Sequence, residues 1–90
     1  MRDGEIVLLA KTQKSGEATQ QAARNLEIVV ATIVTPLMIR KMAGLRARRV
    51  YVEAGVEDHG RAYEAFATLQ HCMSKTRDAD EKFIFLPEGE

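Results

Sequence analysis

The sequence predicts a single α/β domain: a three-layer sandwich with a four-stranded, mostly parallel sheet and helices on both faces. Three observations carry this. Four short apolar runs recur along the chain, IVLLA at 6–10, IVVATIV at 28–34, VYV at 50–52 and FIFL at 83–86. None alternates polar with apolar residues, so each reads as a strand covered on both faces, the signature of a parallel sheet between helix layers. Helix start and stop signals fill the segments between them, and strand–helix alternation is the pattern of that fold class.

Each element has a local reason. IVLLA is rich in residues that suit strands. After it, Ser15 reads as the N-cap of a first helix running through Glu17 to about Asn25, with Ala18, Ala22 and Leu26 at helical spacing. IVVATIV reads as the second strand because of its β-branched residues. A competing reading extends the first helix from Ser15 through Val34, since Ala22, Leu26, Val30 and Ile33 also fit a 3.6-residue period. Thr35 then caps a second helix, with Pro36 in its first turn, residues 37–42 as its body and Gly44 as its stop. That crossover holds only about two helical turns, which leaves room for mixed strand pairing there. VYV is the third strand. Asp58 reads as the cap of a third helix whose stripe is Ala62, Phe66, Leu69 and Met73, with Tyr63 and Gln70 on the neighbouring row and the end before Asp78. FIFL closes the sheet.

Composition narrows the function classes. With 90 residues, 46% of them hydrophobic, the chain has room for one modest core and is read as one domain over residues 1–90. Thirteen basic and thirteen acidic side chains cancel, so no global field draws the protein to nucleic acid or to a membrane surface. The lone Cys72 excludes an internal disulfide and a cysteine-rich zinc site. Met1 is followed by Arg2, Asp3 and Gly4 and then too few apolar residues for a signal peptide. No run approaches the ~20 apolar residues that span a bilayer. The expectation is a soluble, cytoplasmic protein.

Candidate chemistry gathers where the strands end. In open parallel sheets, ligands bind beyond the carboxyl ends of the strands. Those ends carry Lys11, Thr12, Lys14, Ser15 and Gly16, then Thr35, then Glu53, Gly55, Glu57, Asp58 and His59. KTQKSG has neither the Walker order nor the three glycines of a dinucleotide fingerprint; it reads as a capped helix start able to hold an anion through its N–H groups and two lysines. GVEDHG places two carboxylates and an imidazole close together, but contiguous residues at a helix start point in different directions. His71 and Cys72 are adjacent on one helix and cannot form a Cys–His pair. No cofactor, no metal and no catalysis are expected. Arg46, Arg48 and Arg49, with Arg40 and Lys41, form a basic cluster suited to phosphate contact or to a solvated face. Leu37, Met38, Met42 and Leu45, flanked by Arg40, exceed one packing stripe, which points to a protein partner or a homodimer seam.

KSGEATQ at 14–20 resembles the helix-start motif of the kink-turn RNA-binding ribosomal-protein family, Gly-x-Asn-Glu-x-Thr-Lys. Glu17 and Thr19 stand at the family's Glu and Thr; Gln20, Gly16 and Lys14 replace its Lys, Asn and Gly. IVVAT followed by Pro36, and VYV followed by DHGRA, are similar to its later strands and loops, so the resemblance spans residues 6 to 62. It implies RNA contacts at Lys14, Glu17 and Gln20, with Lys11 and the arginine cluster at phosphates. Three functions are thus expected of this non-catalytic binding module: RNA binding, self-association or protein interaction through the Met-rich helix, and capture of a small anionic or nucleotide-like ligand at the strand ends.

Overall fold

The computed structural model describes residues 4–77, 79 and 82–87; Met1, Arg2, Asp3 and Asp78 lie outside them. The elements run β1 (Glu5–Leu9), α1 (Gln13–Arg24), β2 (Thr32–Val34), α2 (Ile39–Met42), β3 (Ala47–Val52), a 3₁₀ turn (Val56–Asp58), α3 (Ala62–Ser74) and β4 (Phe83–Phe85). The four strands form one sheet in the order β2-β1-β3-β4. Every pair is parallel; β2 and β3 lie on either side of β1 and each runs parallel to it, so the mixed pairing left open at their crossover does not occur.

The unbroken apolar runs split their side chains between two cores, as a doubly covered strand must. Val7, Leu9, Val34, Val50 and Val52 face α2 and α3 and join Met42, Leu69, Cys72 and Met73 in the larger cluster. Leu8, Ala10 and Tyr51 face the other way, toward α1 and the segment after it. A bulge adjusts this parity in β3. Glu5 aligns with Ala47 but Ile6 aligns with Arg49, so Arg48 is the extra residue. Ala47 and Val50 can therefore both reach the α2–α3 core. Phe66 of α3 meets Phe83 of β4 edge to face at 5.2 Å and seals the outer side of that core.

Several boundaries differ from the expectation, each for a local reason. Thr12, not Ser15, caps α1: its hydroxyl accepts the Ser15 amide at 3.1 Å, and the Ser15 hydroxyl accepts the Thr12 amide at 3.2 Å. The long-helix alternative fails because α1 ends at Arg24. The amide of Ile28 turns back to the Ala23 carbonyl, and Glu27 adopts a φ of 63° that ends the helical path. The same turn shortens the second strand from seven residues to Thr32–Val34. Thr35 and Pro36 open a turn, closed by the Met38 amide on the Thr35 carbonyl, and α2 is one turn starting at Ile39. Asp58 ends the 3₁₀ turn instead of capping α3, which begins after Arg61.

Gly16 sets the height of α1 above the sheet. A Cβ there would lie 2.6 Å from Ile33 Cγ2 and 2.9 Å from Ala10 Cβ. The helix backbone thus rests directly on β1 and β2. No helix among the described residues is long and apolar enough to cross a membrane.

Candidate functional site

The chain leaves β1 in one direction, to β2, and reaches β3 and β4 on the other side, so β1 and β3 flank the point where the strand order reverses. Loops leaving the carboxyl ends of two such strands diverge and leave a crevice. Lys11 follows β1 and Glu53 follows β3, whose end is fixed by the Glu53 amide on the Leu9 carbonyl at 2.9 Å.

Glu53 is the centre of this edge. It is only 8% exposed. Thr19 Oγ1 donates to its Oε2 at 2.9 Å and Ser15 Oγ donates to its Oε1 at 2.8 Å. The Ser15 hydroxyl also lies 3.1 Å from the Thr12 carbonyl. It has one proton, and the shorter bond to a charged acceptor is the stronger claim on it. The Lys11 amide adds a long contact to Oε1 at 3.5 Å. Ser15 and Thr19 sit one turn apart on α1 and present both hydroxyls to the same carboxylate. Lys11 extends over the turn after β3: a Cβ on Gly55, whose φ is 89°, would meet Lys11 Nζ at 2.9 Å.

Beside this polar group opens a cleft of about 620 Å³, within the range of small-ligand sites. Lys11, Ser15, Thr19 and Glu53 line one end. The walls are apolar: Ala18, Ala22, Ala23 and Leu26 on the α1 side, Ile28, Leu86 and Pro87 opposite. The cleft exists because coverage of the sheet is uneven. A helix about 10 Å across covers roughly two strands spaced about 4.8 Å apart. α1 lies over β1 and β2, while the outer half of that face, over β3 and β4, has no helix of its own among the described residues.

The structure gathers some of the residues singled out from the sequence and separates others. Ser15, Thr19 and Lys11 reach the cleft; Lys14 and Glu17 are exposed on the same helix start and do not line it. Gly16 is buried against β1 and β2. Gln20 donates from Nε2 to the Val30 carbonyl at 2.8 Å, tying the loop before β2 to α1. Arg46, Arg48 and Arg49 stand at the amino end of β3, the opposite edge of the sheet from Lys14. A strand of that length separates the two basic groups by roughly 20 Å. Arg46 Nη2 donates to the Lys75 carbonyl at 3.1 Å, Arg49 Nη1 lies 3.4 Å from the Tyr51 hydroxyl, and Arg48 Nε is buried without a partner. On the second helix, Met42 is fully buried and Met38, Ile39 and Leu45 pack against the core. The surplus apolar face expected there contracts to Leu37, 69% exposed, beside exposed Arg40.

The remaining titratable groups are spread out. His59 Nδ1 accepts the Arg61 amide at 3.0 Å and helps start α3. His71 is exposed, whereas Cys72 is buried and its Sγ donates to the Met42 carbonyl at 2.9 Å. Burial pushes the Cys72 thiol up from its ordinary value, with the Lys75 charge and backbone bonds opposing. Among the described residues no group of three or more His, Cys, Asp or Glu could hold a metal ion.

From the sequence, Glu53 stands at the strand edge and is not marked as the centre of a site. One signal was available: a carboxylate directly after a continuous apolar strand is held at a buried position. The cleft walls carried no such signal, because alanines on a helix read as packing. No family model, no curated protein and no solved structure matches this chain.

Proposed function

We propose that this chain is a small, non-catalytic binding module whose ligand occupies the cleft at the carboxyl ends of β1 and β3. The observation that carries the reading is the coincidence of three features in one place. A cleft of about 620 Å³ opens at the reversal of strand order, its walls are apolar, and its inner end holds a buried, oriented carboxylate. A ligand there would lay its apolar body along α1 and set its polar end against Lys11 and Glu53. Of the small-ligand, RNA and protein-interaction readings, this one uses the most of what the fold assembles.

RNA contact is the second reading, supported by Lys14 and Glu17 standing exposed side by side at the start of α1. Self-association through the second helix now has Leu37 as its support. A cytoplasmic setting belongs to the same proposal, with the single buried thiol as its support.

The test is a fragment screen read by amide chemical shifts on ¹⁵N-labelled protein. The expected result is that ligands move the amides of Ser15, Thr19 and Ala54, and that Ala22→Trp, which fills the cleft, abolishes the shifts. Ligands that move only the Arg46, Arg48 and Arg49 edge, or none that move the cleft, would overturn the reading. A gel shift at low salt against kink-turn RNA, repeated with Lys14→Ala, tests the RNA alternative.

A further inference from the structure

We infer that the cleft takes a small zwitterion with an apolar tail, the class to which the large apolar α-amino acids belong. This rests on the cleft being a ligand site, as proposed above. The argument is one of charge matching. The polar end of the cleft holds one carboxylate, Glu53, and one ammonium, Lys11. Among the described residues the ion pair is Arg61 with Glu64 at 3.0 Å; Glu53 and Lys11 do not form one. Glu53 is buried and receives two hydroxyl hydrogen bonds but no cation. A carboxylate offers about four acceptor positions, so a donor from a ligand still has room. A buried charge gains most from a partner of opposite sign, because water no longer screens it.

The alternatives each leave one charge badly placed. A simple carboxylate would satisfy Lys11 but bring its own negative charge beside Glu53. An amine would satisfy Glu53 and crowd Lys11. A phosphate monoester, near −2 at neutral pH, would add still more negative charge to an end that is already neutral overall. A zwitterion answers both groups at once, its ammonium on Glu53 and its carboxylate on Lys11. The tail then runs along Ala18, Ala22 and Leu26, facing Leu86. The short alanine side chains leave width for an aromatic or branched aliphatic group.

Calorimetric titration tests this with four probes: L-phenylalanine, 3-phenylpropionate (no amine), 2-phenylethylamine (no carboxylate) and glycine (no tail). The expected order has L-phenylalanine binding about tenfold or more tighter than either single-charge analogue, as two charge-assisted contacts exceed one, with glycine undetectable. Lys11→Ala, at an exposed position that leaves folding intact, should remove the advantage of L-phenylalanine over 2-phenylethylamine. Glu53→Gln, checked for a native melting transition, should weaken both. Equal affinities for the three phenyl compounds, or no effect of Lys11→Ala, would overturn the inference. If the fragment screen fills the cleft with other classes while L-phenylalanine does not bind, the zwitterion falls and the ligand cleft stands. If nothing enters the cleft, both fall.

Discussion

The two faces of the sheet are built to different standards. On one, α2 and α3 bury Val7, Leu9, Val50, Val52, Met42, Leu69 and Met73 in one core cluster, with Phe85 exposed at its edge. On the other, α1 and the segment after it cover β1 and β2, and next to them Leu26 is 74% exposed and the cleft lies open. Closed packing of this density contributes most of what holds a small domain together. The open face contributes less stability, and its uncovered apolar area is what a ligand can use. The same division appears in the polar groups. Thr76 and Cys72 on the closed side bond to nearby carbonyls, whereas Glu53 on the open side gathers donors at the head of a cavity.

The largest effect that would break this comparison is a truncation on the closed face. Leu69→Ala should cost about 2–5 kcal/mol, enough to leave so small a domain partly unfolded, while Leu26→Ala on the open face should change stability by no more than about 0.5 kcal/mol. Urea denaturation of the two variants checks the pair, and similar losses would erase the distinction between the faces.

An intermediate effect is expected where α1 touches the sheet. Gly16→Val forces side-chain atoms into Ile33 and Ala10, both closer than real contacts allow. Lifting or tilting α1 should cost about 1–3 kcal/mol. It should also separate Ser15 and Thr19 from Glu53, so the amide signals of all three should move in the NMR spectrum. An unchanged midpoint with unchanged spectra would show that α1 does not rest where the structure puts it.

How much of this could be read in the sequence follows from which signals are local. The parallel sheet was legible because VYV and IVLLA are apolar without interruption, which one wet face would not permit. Glu27 carries no comparable mark: it holds the left-handed position of a helix-ending turn, with the Ile28 amide on Ala23 and its own on Arg24, where glycine or asparagine is the usual signal, and that turn cost IVVATIV most of its expected strand. Thr12 and Ser15 are both good caps, and only the reciprocal bonds show that Thr12 takes the role. Of the candidate site, Lys11, Ser15 and Glu53 could be placed at the strand edge from topology. Thr19 and Glu53 lie 34 residues apart, and their hydrogen bond depends on how high Gly16 lets the helix sit.

The smallest effect concerns Cys72 on the closed face. Its thiol is raised in the folded protein, mainly by burial, so the neutral form is favoured there more than in the unfolded chain. That contribution is fully present below the unfolded thiol's ordinary value and is lost as pH climbs through the raised, folded value. Native protein should react slowly with a thiol reagent at mildly alkaline pH, and quickly once urea is added. Fast reaction of the folded protein would place Cys72 at the surface.

The division between the faces is tested most directly by making one substitution twice, once on each helix layer, and comparing denaturation midpoints. Ala65 of α3 is fully buried against the sheet, whereas Ala22 of α1 lines the cleft. Ala65→Leu should overpack the closed core and cost about 1–3 kcal/mol, while Ala22→Leu, with the cleft to receive it, should leave stability unchanged or raised. Equal destabilisation by the two substitutions would mean that the α1 face is as tightly filled as its opposite, and that no open cleft exists there.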